Sequence, residues 1–395
     1  MDLIDKIKKL SENFNTDVIE IRRYLHQYPE ISFKEFNTSK FIASKLDEFN
    51  IRYQKGFVKT GIVAKIEGKN PSKKIIALRA EMDALPIEEV NDLQYKSQNK
   101  GKMHACGHDV HISSLLGTAK ILKSLVPEFE GTVKLLFQPG EEKLPGGAKQ
   151  MIQEGVLKDP EPEIIIAQHV LPTLNIGTVG FKSGLYMASC DEIYISVKGD
   201  GGHAAIPDQM TDTVLIASNI IVALQQIVSR HANTSVPTVL SFGKVLANGS
   251  TNVIPDIVSI EGTFRTMNEK WRKEAHKKMA KVAKSIAKSM GGQCEINIVK
   301  GYPVLINDKK VTRLAKKFAE EYLGKENVID LDIRMTAEDF AYFAQARPST
   351  LFRLGTGNNV KNINSPLHSS TFNIDEDALK IGMGIMAWLA ISFLK

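Results

Sequence analysis

Cysteine is scarce, with three in 395 residues. That excludes a disulfide-stapled scaffold, which needs a far denser supply. No apolar run is expected to reach the ~20 residues of a membrane-crossing helix. The opening stretch "MDLIDKIKKLSENF" has no long apolar segment followed by small residues, so no secretory leader is expected. No dense basic tract is interleaved with aromatics. Lys and Arg number 51 against 45 Asp and Glu, a net charge of only +6. Many of those lysines recur at helical spacing in 269–290, as on a solvated face, so nucleic acid is not an expected partner. Internal repeats and low-complexity segments are absent. These absences lead to the expectation of a reduced, cytoplasmic protein without membrane attachment.

What is present is ordinary for a globular protein: 43% hydrophobic and 24% charged residues. The length exceeds what one core usually serves, so two domains are expected. Residues 2–27 have helical period and stop before Pro29. "GIVAKIEG" (61–68), "KKIIALRAEMDALP" (73–86), "TVKLLFQPGEE" (132–142) and "EIIIAQHV" (163–170) read as strands, the last three as short apolar runs buried on both faces. Helical patterns at 113–125 and 146–156 separate them. This alternation predicts an α/β fold with a mostly parallel central sheet and helices on both faces.

Near residue 190 the pattern changes. Strand, helix, two strands, helix and strand follow within about 110 residues, the order of a ferredoxin-like α+β domain. After it, α/β character resumes. The expected organisation is therefore a first part of the large domain at 1–187, an inserted domain at 188–299 and the rest of the large domain at 300–395.

Polar candidates fall just past the expected strand ends, where open α/β sheets bind ligands. Asp83 follows "IIALRA", Glu141 and Glu142 follow "VKLLFQPG", and His169 follows "IIIAQ". The richest stretch is "HACGHDVHI" (104–112). Cys106 and His108 lie two apart, so both can face one point where the chain turns, and a thiolate with an imidazole suits zinc. Adjacent glutamates at a strand end point different ways. One can bind metal while the other takes a proton from water. His169 and His368, the latter in the polar loop "NSPLHSSTF", can complete such a shell. Other readings stand beside this one. Cys106 with His108 or His104 as base can be a thiol nucleophile. His104 and His111 can cap a helix beginning near Asp109, itself a plausible N-cap. Tandem glutamates can be a solvated pair, and His169 a satisfied core histidine. Cys190 and Cys294 have no ligand-type neighbours and read as small buried hydrophobes.

Taken together, "RRYLHQYPEISFKE" (22–35), "LRAEMDALPI" (78–87), "MHACGHDVHISSLLG" (103–117), "LLFQPGEE" (135–142), "GDGGHAAIP" (199–207), "TNVIPD" (251–256), "GTFR" (262–265) and "AEDF" (337–340) resemble the metal-dependent aminoacylase/carboxypeptidase family. Within it, the resemblance is to the branch of hippurate hydrolases, auxin-conjugate amidohydrolases and N-acetyl-diaminopimelate deacetylases. It implies a two-metal amidohydrolase with a catalytic domain and an inserted lid that often dimerises. The substrate it implies is a small N-acyl amino acid. Cys106, His108, Glu142, His169 and His368 match the metal ligands. Zinc is favoured, with manganese, cobalt or nickel acceptable. Glu141 matches the general base, and Asp83 an acid that orients ligands. His203 matches a lid histidine brought to the scissile carbonyl from a partner subunit. Asn252 and Arg265 match residues that grip the substrate. Departures are Glu81, where the wider family has a histidine, Asp208 after "AAIP", and Thr336 before "AEDF". The last two bear on substrate preference. Alternatives on the same scaffold are a dipeptidase or diaminopimelate deacetylase, a cysteine-dependent amidase, and a catalytically silent binder, against which a retained Glu141 argues.

Overall fold

The computed structural model describes residues 2–395. Contacts divide the chain into two compact units. The first comprises the chain up to Gly184 with Ile306–Asp332 and Asp339–Lys395. The second is Leu185–Leu305 with Ile333–Glu338.

The first unit is built on an eight-stranded sheet. Its order is Arg52–Phe57, Gly61–Glu67, Thr132–Gln138, Ile75–Glu81, Ile164–Asn175, Ser349–Gly357, Val179–Phe181 and Val328–Asp330. The central strands Thr132–Gln138, Ile75–Glu81, Ile164–Asn175 and Ser349–Gly357 run parallel to one another. Their sequences are mostly apolar and do not alternate, because both faces are covered. Thr132–Gln138 and Ser349–Gly357 are buried at every residue. The helices Leu3–Gln27, His108–Ser124 and Ala378–Leu394 pack against each other, and the last two also against Ile75–Glu81.

Two local expectations need correction. The helix expected to begin near Asp109 begins at His108, and its N-cap is Gly107 at φ +79°. Asp109 does not cap it. Its carboxylate turns to the buried Arg22 and His26, which attract it more strongly than an amide does. A side chain at Gly107 would strain the backbone and put a Cβ 2.5 Å from Val170 Cγ2. His169 does not follow its strand but lies within it, since Ile164–Asn175 continues well beyond residue 170.

The second unit carries a four-stranded antiparallel sheet in the order Thr238–Ala247, Ile257–Thr266, Ser189–Lys198, Gln293–Lys300. The helices Thr213–Leu224 and Glu269–Ser289 share one apolar core with it. The chain order is therefore β-α-β-β-α-β, the ferredoxin-like arrangement expected. The expectation about apolar runs also needs correction. The helical segment Thr213–His231 is the one helix among the described residues long and apolar enough, by length and composition, to cross a membrane. Asparagine and glutamine interrupt its apolar run without adding charge, which hides its length from a reader counting unbroken apolar residues.

Candidate metal centre

Four segments of the first unit bring their polar side chains to one place. Cys106 and His108 flank Gly107, whose left-handed conformation makes the turn into the helix. Cys106 Sγ lies 3.6 Å from His169 Nε2. The ligand atoms of Cys106, His108 and His169 lie within 4.8 Å of one another. So do those of Cys106, Glu142 and His368, and those of His108, Glu141 and Glu142.

Neighbouring groups fix both imidazoles. His108 Nδ1 donates to the Asp83 carbonyl at 2.8 Å, and His169 Nδ1 to the Val170 carbonyl at 2.8 Å. A carbonyl only accepts, so each ring holds its proton on Nδ1 and turns Nε2 to the cluster. His108 Nε2 and Glu142 Oε1 are buried without hydrogen-bond partners, 4.0 Å apart. His368 Nε2 lies 3.3 Å from Glu142 Oε1, and the His368 amide donates to Ala105 O at 2.8 Å. That amide ties the C-terminal loop to the residue preceding Cys106.

The donors differ in their electrostatics. Burial pushes the Cys106 thiol well above its ordinary pKa, and Glu142 and Glu141 push it further. Burial opposes charging His108, but Asp83, Glu81 and Glu142 outweigh it and raise the ring to about 10. Burial instead holds His169 well below its ordinary value, helped by Arg353. A thiol, carboxylates and aimed imidazole nitrogens make a donor set that fits divalent cations.

The tandem glutamates sit in a turn after Thr132–Gln138. Asp83 Oδ1 accepts the Glu141 amide at 3.1 Å, and Asp83 Oδ2 the Glu142 amide at 2.9 Å. Ser32 Oγ donates to Asp83 Oδ2 at 2.6 Å. Burial works to raise Asp83, but His108, Ser32 and the Glu142 amide keep it below its ordinary value. Glu141 Oε1 accepts the Asp339 amide at 3.3 Å. Glu35 Oε1 accepts the preceding amide, Gly140, at 2.9 Å. Burial and then Asp83 push the Glu35 carboxyl up to about 7.

Glu81 is occupied elsewhere. It pairs with the Arg79 guanidinium and, at 2.8 Å, with His111 Nδ1. Arg79 and His111 hold it well below the usual carboxylate range despite burial. His111 does not cap the helix: its Nε2 accepts the Val170 amide at 2.9 Å. His104 does not cap it either. Its ring is buried without hydrogen bonds, and burial pushes it down to about 3. Arg79 also donates to Gln138 Oε1 at 2.8 Å and to Asp339 Oδ1 at 2.7 Å. Gln138 and the Ala148 amide add donors to Asp339.

His203, Asn252 and Arg265 belong to the second unit. Exposed His203 pairs with Val253 in a short ladder, and Ala204 donates its amide to Asn252 O at 3.0 Å. His203 Nδ1 accepts the Ala205 amide at 3.1 Å, which leaves Nε2 to carry the ring N–H. Arg265 Nη1 donates to Met335 O at 3.4 Å.

Sequence reasoning missed Arg79, Glu35, His111 and Asp339 as partners of the cluster. For the first, the signal was available: Arg79 and Glu81 alternate through a strand buried on both faces, Asp83 lies buried just past its end, and each then demands a partner.

Residues 77–392 match the model of peptidase family M20/M25/M40. The thermostable carboxypeptidase 1 of Saccharolobus solfataricus is 37% identical over 396 residues, covering 100% of this chain and 99% of that protein. The N-acetyl-L-cysteine deacetylase of Bacillus subtilis is 40% identical over 362 residues, 92% of this chain and 84% of that protein. The crystal structure of the YXEP protein of Bacillus subtilis, a dinuclear metal binding peptidase, superposes with TM-score 0.82 at 35% identity, covering 97% of this chain and 99% of that one.

Proposed function

The chain belongs to peptidase family M20/M25/M40 and is a metal-dependent hydrolase of that family, and from that premise we propose that it hydrolyses the amide bond of N-acyl-L-amino acids. The products are a carboxylic acid and a free amino acid. The observation that carries the reading is the convergence of Cys106, His108, Glu142, His169 and His368, with Glu141 beside them. These five residues would hold two divalent cations. A thiolate among them favours zinc, while the imidazoles and carboxylate also accept manganese, cobalt or nickel. When bound, such ions polarise a carbonyl and lower the pKa of water toward ~7.

The chain's own residues do the rest. Asp83 fixes the backbone of the glutamate turn, so the Glu141 and Glu142 side chains leave it in set directions. Glu141, steadied on one oxygen by the Asp339 amide, takes the proton of the attacking water and returns it to the leaving amine. His203 presents an Nε2–H suited to a developing oxyanion. We assign substrate recognition and the part of a lid to the second unit, with Asn252 and Arg265 gripping the substrate's carboxylate or carbonyl. Asp208 and Thr336 depart from the common pattern there and tune the acyl group accepted.

A homodimer accompanies this reading. The helix Thr213–Leu224 exposes Val214, Leu215 and Val222, and the edge strand Thr238–Ala247 exposes Val245 and Leu246. Val222 is 72% exposed, a large apolar face that a second copy would cover. A reducing, cytoplasmic setting keeps Cys106 available as a ligand.

A cysteine-dependent amidase fits poorly. The Cys106 thiol is driven away from the thiolate by burial and by both glutamates, and a nucleophile needs the reverse. A dipeptidase or N-acetyl-diaminopimelate deacetylase would use the same residues and differs only in substrate. The test is a panel of N-acetyl, N-benzoyl and aminoacyl amino acids at fixed metal, with Glu141→Gln alongside. Expected is hydrolysis of N-acyl amino acids, its loss in EDTA and recovery with zinc or manganese. Glu141→Gln should abolish turnover at unchanged metal content. Full activity in that variant, or activity that survives chelation and dies with iodoacetamide, overturns the reading.

A further inference from the structure

We propose that Glu35 is a positioning residue for the reaction: it sets the turn that delivers Glu141 and Glu142. The inference rests on the roles given to those glutamates above.

Glu35 is fully buried and immediately precedes the helix Phe36–Glu48, yet its side chain does not cap that helix. Glu30 does this instead, accepting the amides of Asn37 at 2.8 Å and Thr38 at 2.9 Å. The Glu35 carboxylate accepts from Phe33 N at 2.8 Å, Gly140 N at 2.9 Å and Thr60 Oγ1 at 2.9 Å. All three donors are neutral. Burying a carboxylate on neutral donors is costly, and the helix gains no cap from it. What it obtains is the Gly140 amide. Asp83 takes the next two amides, Glu141 and Glu142. Consecutive N–H groups of the turn therefore end on two buried carboxylates from different segments.

A second contact locks the same joint. Phe33 adopts φ +63° and Gly140 φ +62°, and a Cβ at Gly140 would run into the Phe33 ring. Ser32, one residue earlier, donates to Asp83. Residues 32–35 thus brace both the turn and its other anchor.

Glu35→Gln keeps an acceptor for Phe33 and Gly140, and its amide can donate to Thr60 Oγ, so it should stay within about threefold of parent kcat. Glu35→Asp retains the charge but withdraws it from Gly140. It should lose ~10–100-fold in kcat, as expected for a ~1 Å misplacement, with KM changed less than about threefold. Glu35→Ala should do at least as much. Glu30→Ala is the control. It loosens the start of the same helix without touching Gly140 and should leave kcat near parent. Hydrogen exchange of the peptide spanning 139–143 gives a readout independent of turnover. It should speed up in Glu35→Asp and Glu35→Ala, but not in Glu30→Ala or Glu35→Gln. Parent-like kcat and exchange in Glu35→Asp overturn the proposal. Equal losses in Glu30→Ala and Glu35→Ala do the same. Glu141→Gln, run in parallel, reports separately on the base. If that variant stays active, the assignment of the base fails while exchange still decides the role of Glu35.

Discussion

Arg79 Nη2 donates to Asp339 Oδ1 at 2.7 Å, joining residues 260 positions apart in the chain. Asp339 then offers its own amide to Glu141 Oε1, so the expected base is tied to a strand in the middle of the sheet. Arg79 also neutralises Glu81. Replacing it by Met would leave two buried carboxylates without their cation. The expected cost is about 3–5 kcal/mol, read as a lowered urea midpoint with unchanged slope. A midpoint equal to the parent's would show that Arg79 does not balance that charge.

Gly140→Ala should be damaging for two separable reasons. The residue sits at φ +62°, and its new Cβ meets the Phe33 ring. Phe33→Ala in the same chain removes the second reason only. A double-mutant cycle on the thermal midpoint should therefore give a favourable coupling of about 0.5–3 kcal/mol. Strict additivity would place the whole cost in the backbone.

His26 should make stability depend on pH on the alkaline side. Its Nδ1 lies 2.8 Å from Asp109 Oδ2 and its Nε2 3.2 Å from Glu89 Oε1, so a doubly protonated ring satisfies both carboxylates. Burial and Arg22 lower its pKa, but Asp109 and Glu89 prevail and the net shift is upward. A raised folded-state pKa means the stabilisation is complete below the unfolded value of ~6.5 and disappears as pH rises through the folded one. Denaturant midpoints for the parent should fall above pH ~6.5 relative to those of His26→Gln. Parallel pH profiles for the two proteins would remove the imidazolium.

Stripping metal should lower the melting temperature, and zinc should restore it, because a ligand bound only by the folded state stabilises by about 4 kcal/mol at a thousand times its Kd. Cys106→Ser should shrink the zinc-induced shift while leaving the stripped protein close to the parent. An undiminished zinc response in Cys106→Ser would take the thiol out of the ligand set.

Leu215→Glu combined with Val222→Glu puts charge on the apolar face of the second unit's helix without entering its core, since both side chains are exposed. Light scattering coupled to size exclusion should change from dimer to monomer. A dimer that survives both charges would have to use another surface.

Much of this was legible in the sequence. Predominantly apolar segments identified the central strands because burial on both faces erases alternation, and the order of elements after residue 190 identified the ferredoxin-like unit. The ligand-type residues stood out because their chemistry is rare in combination. Partners of ordinary type were harder to see. Asp109 resembled an N-cap in local sequence, yet Arg22, far away in the chain, claims it. Nothing in the sequence singles out Glu35. Its partner is an amide, which has no identity in a sequence. His111 reads as a possible cap from sequence because Glu81, 30 residues earlier, becomes its neighbour only when strand and helix pack.

The amide of His368 reaches back to Ala105, so the last donor of the cluster arrives by way of the final part of the chain. On the proposed reading, a nascent polypeptide on the ribosome holds an incomplete cation trap until that segment has been made. At usual synthesis rates the wait after His169 is roughly 10–40 s. On this reading the full complement of metal is taken up only after residue 368 has been made. A stalled fragment ending before residue 360 that took up stoichiometric zinc would contradict this.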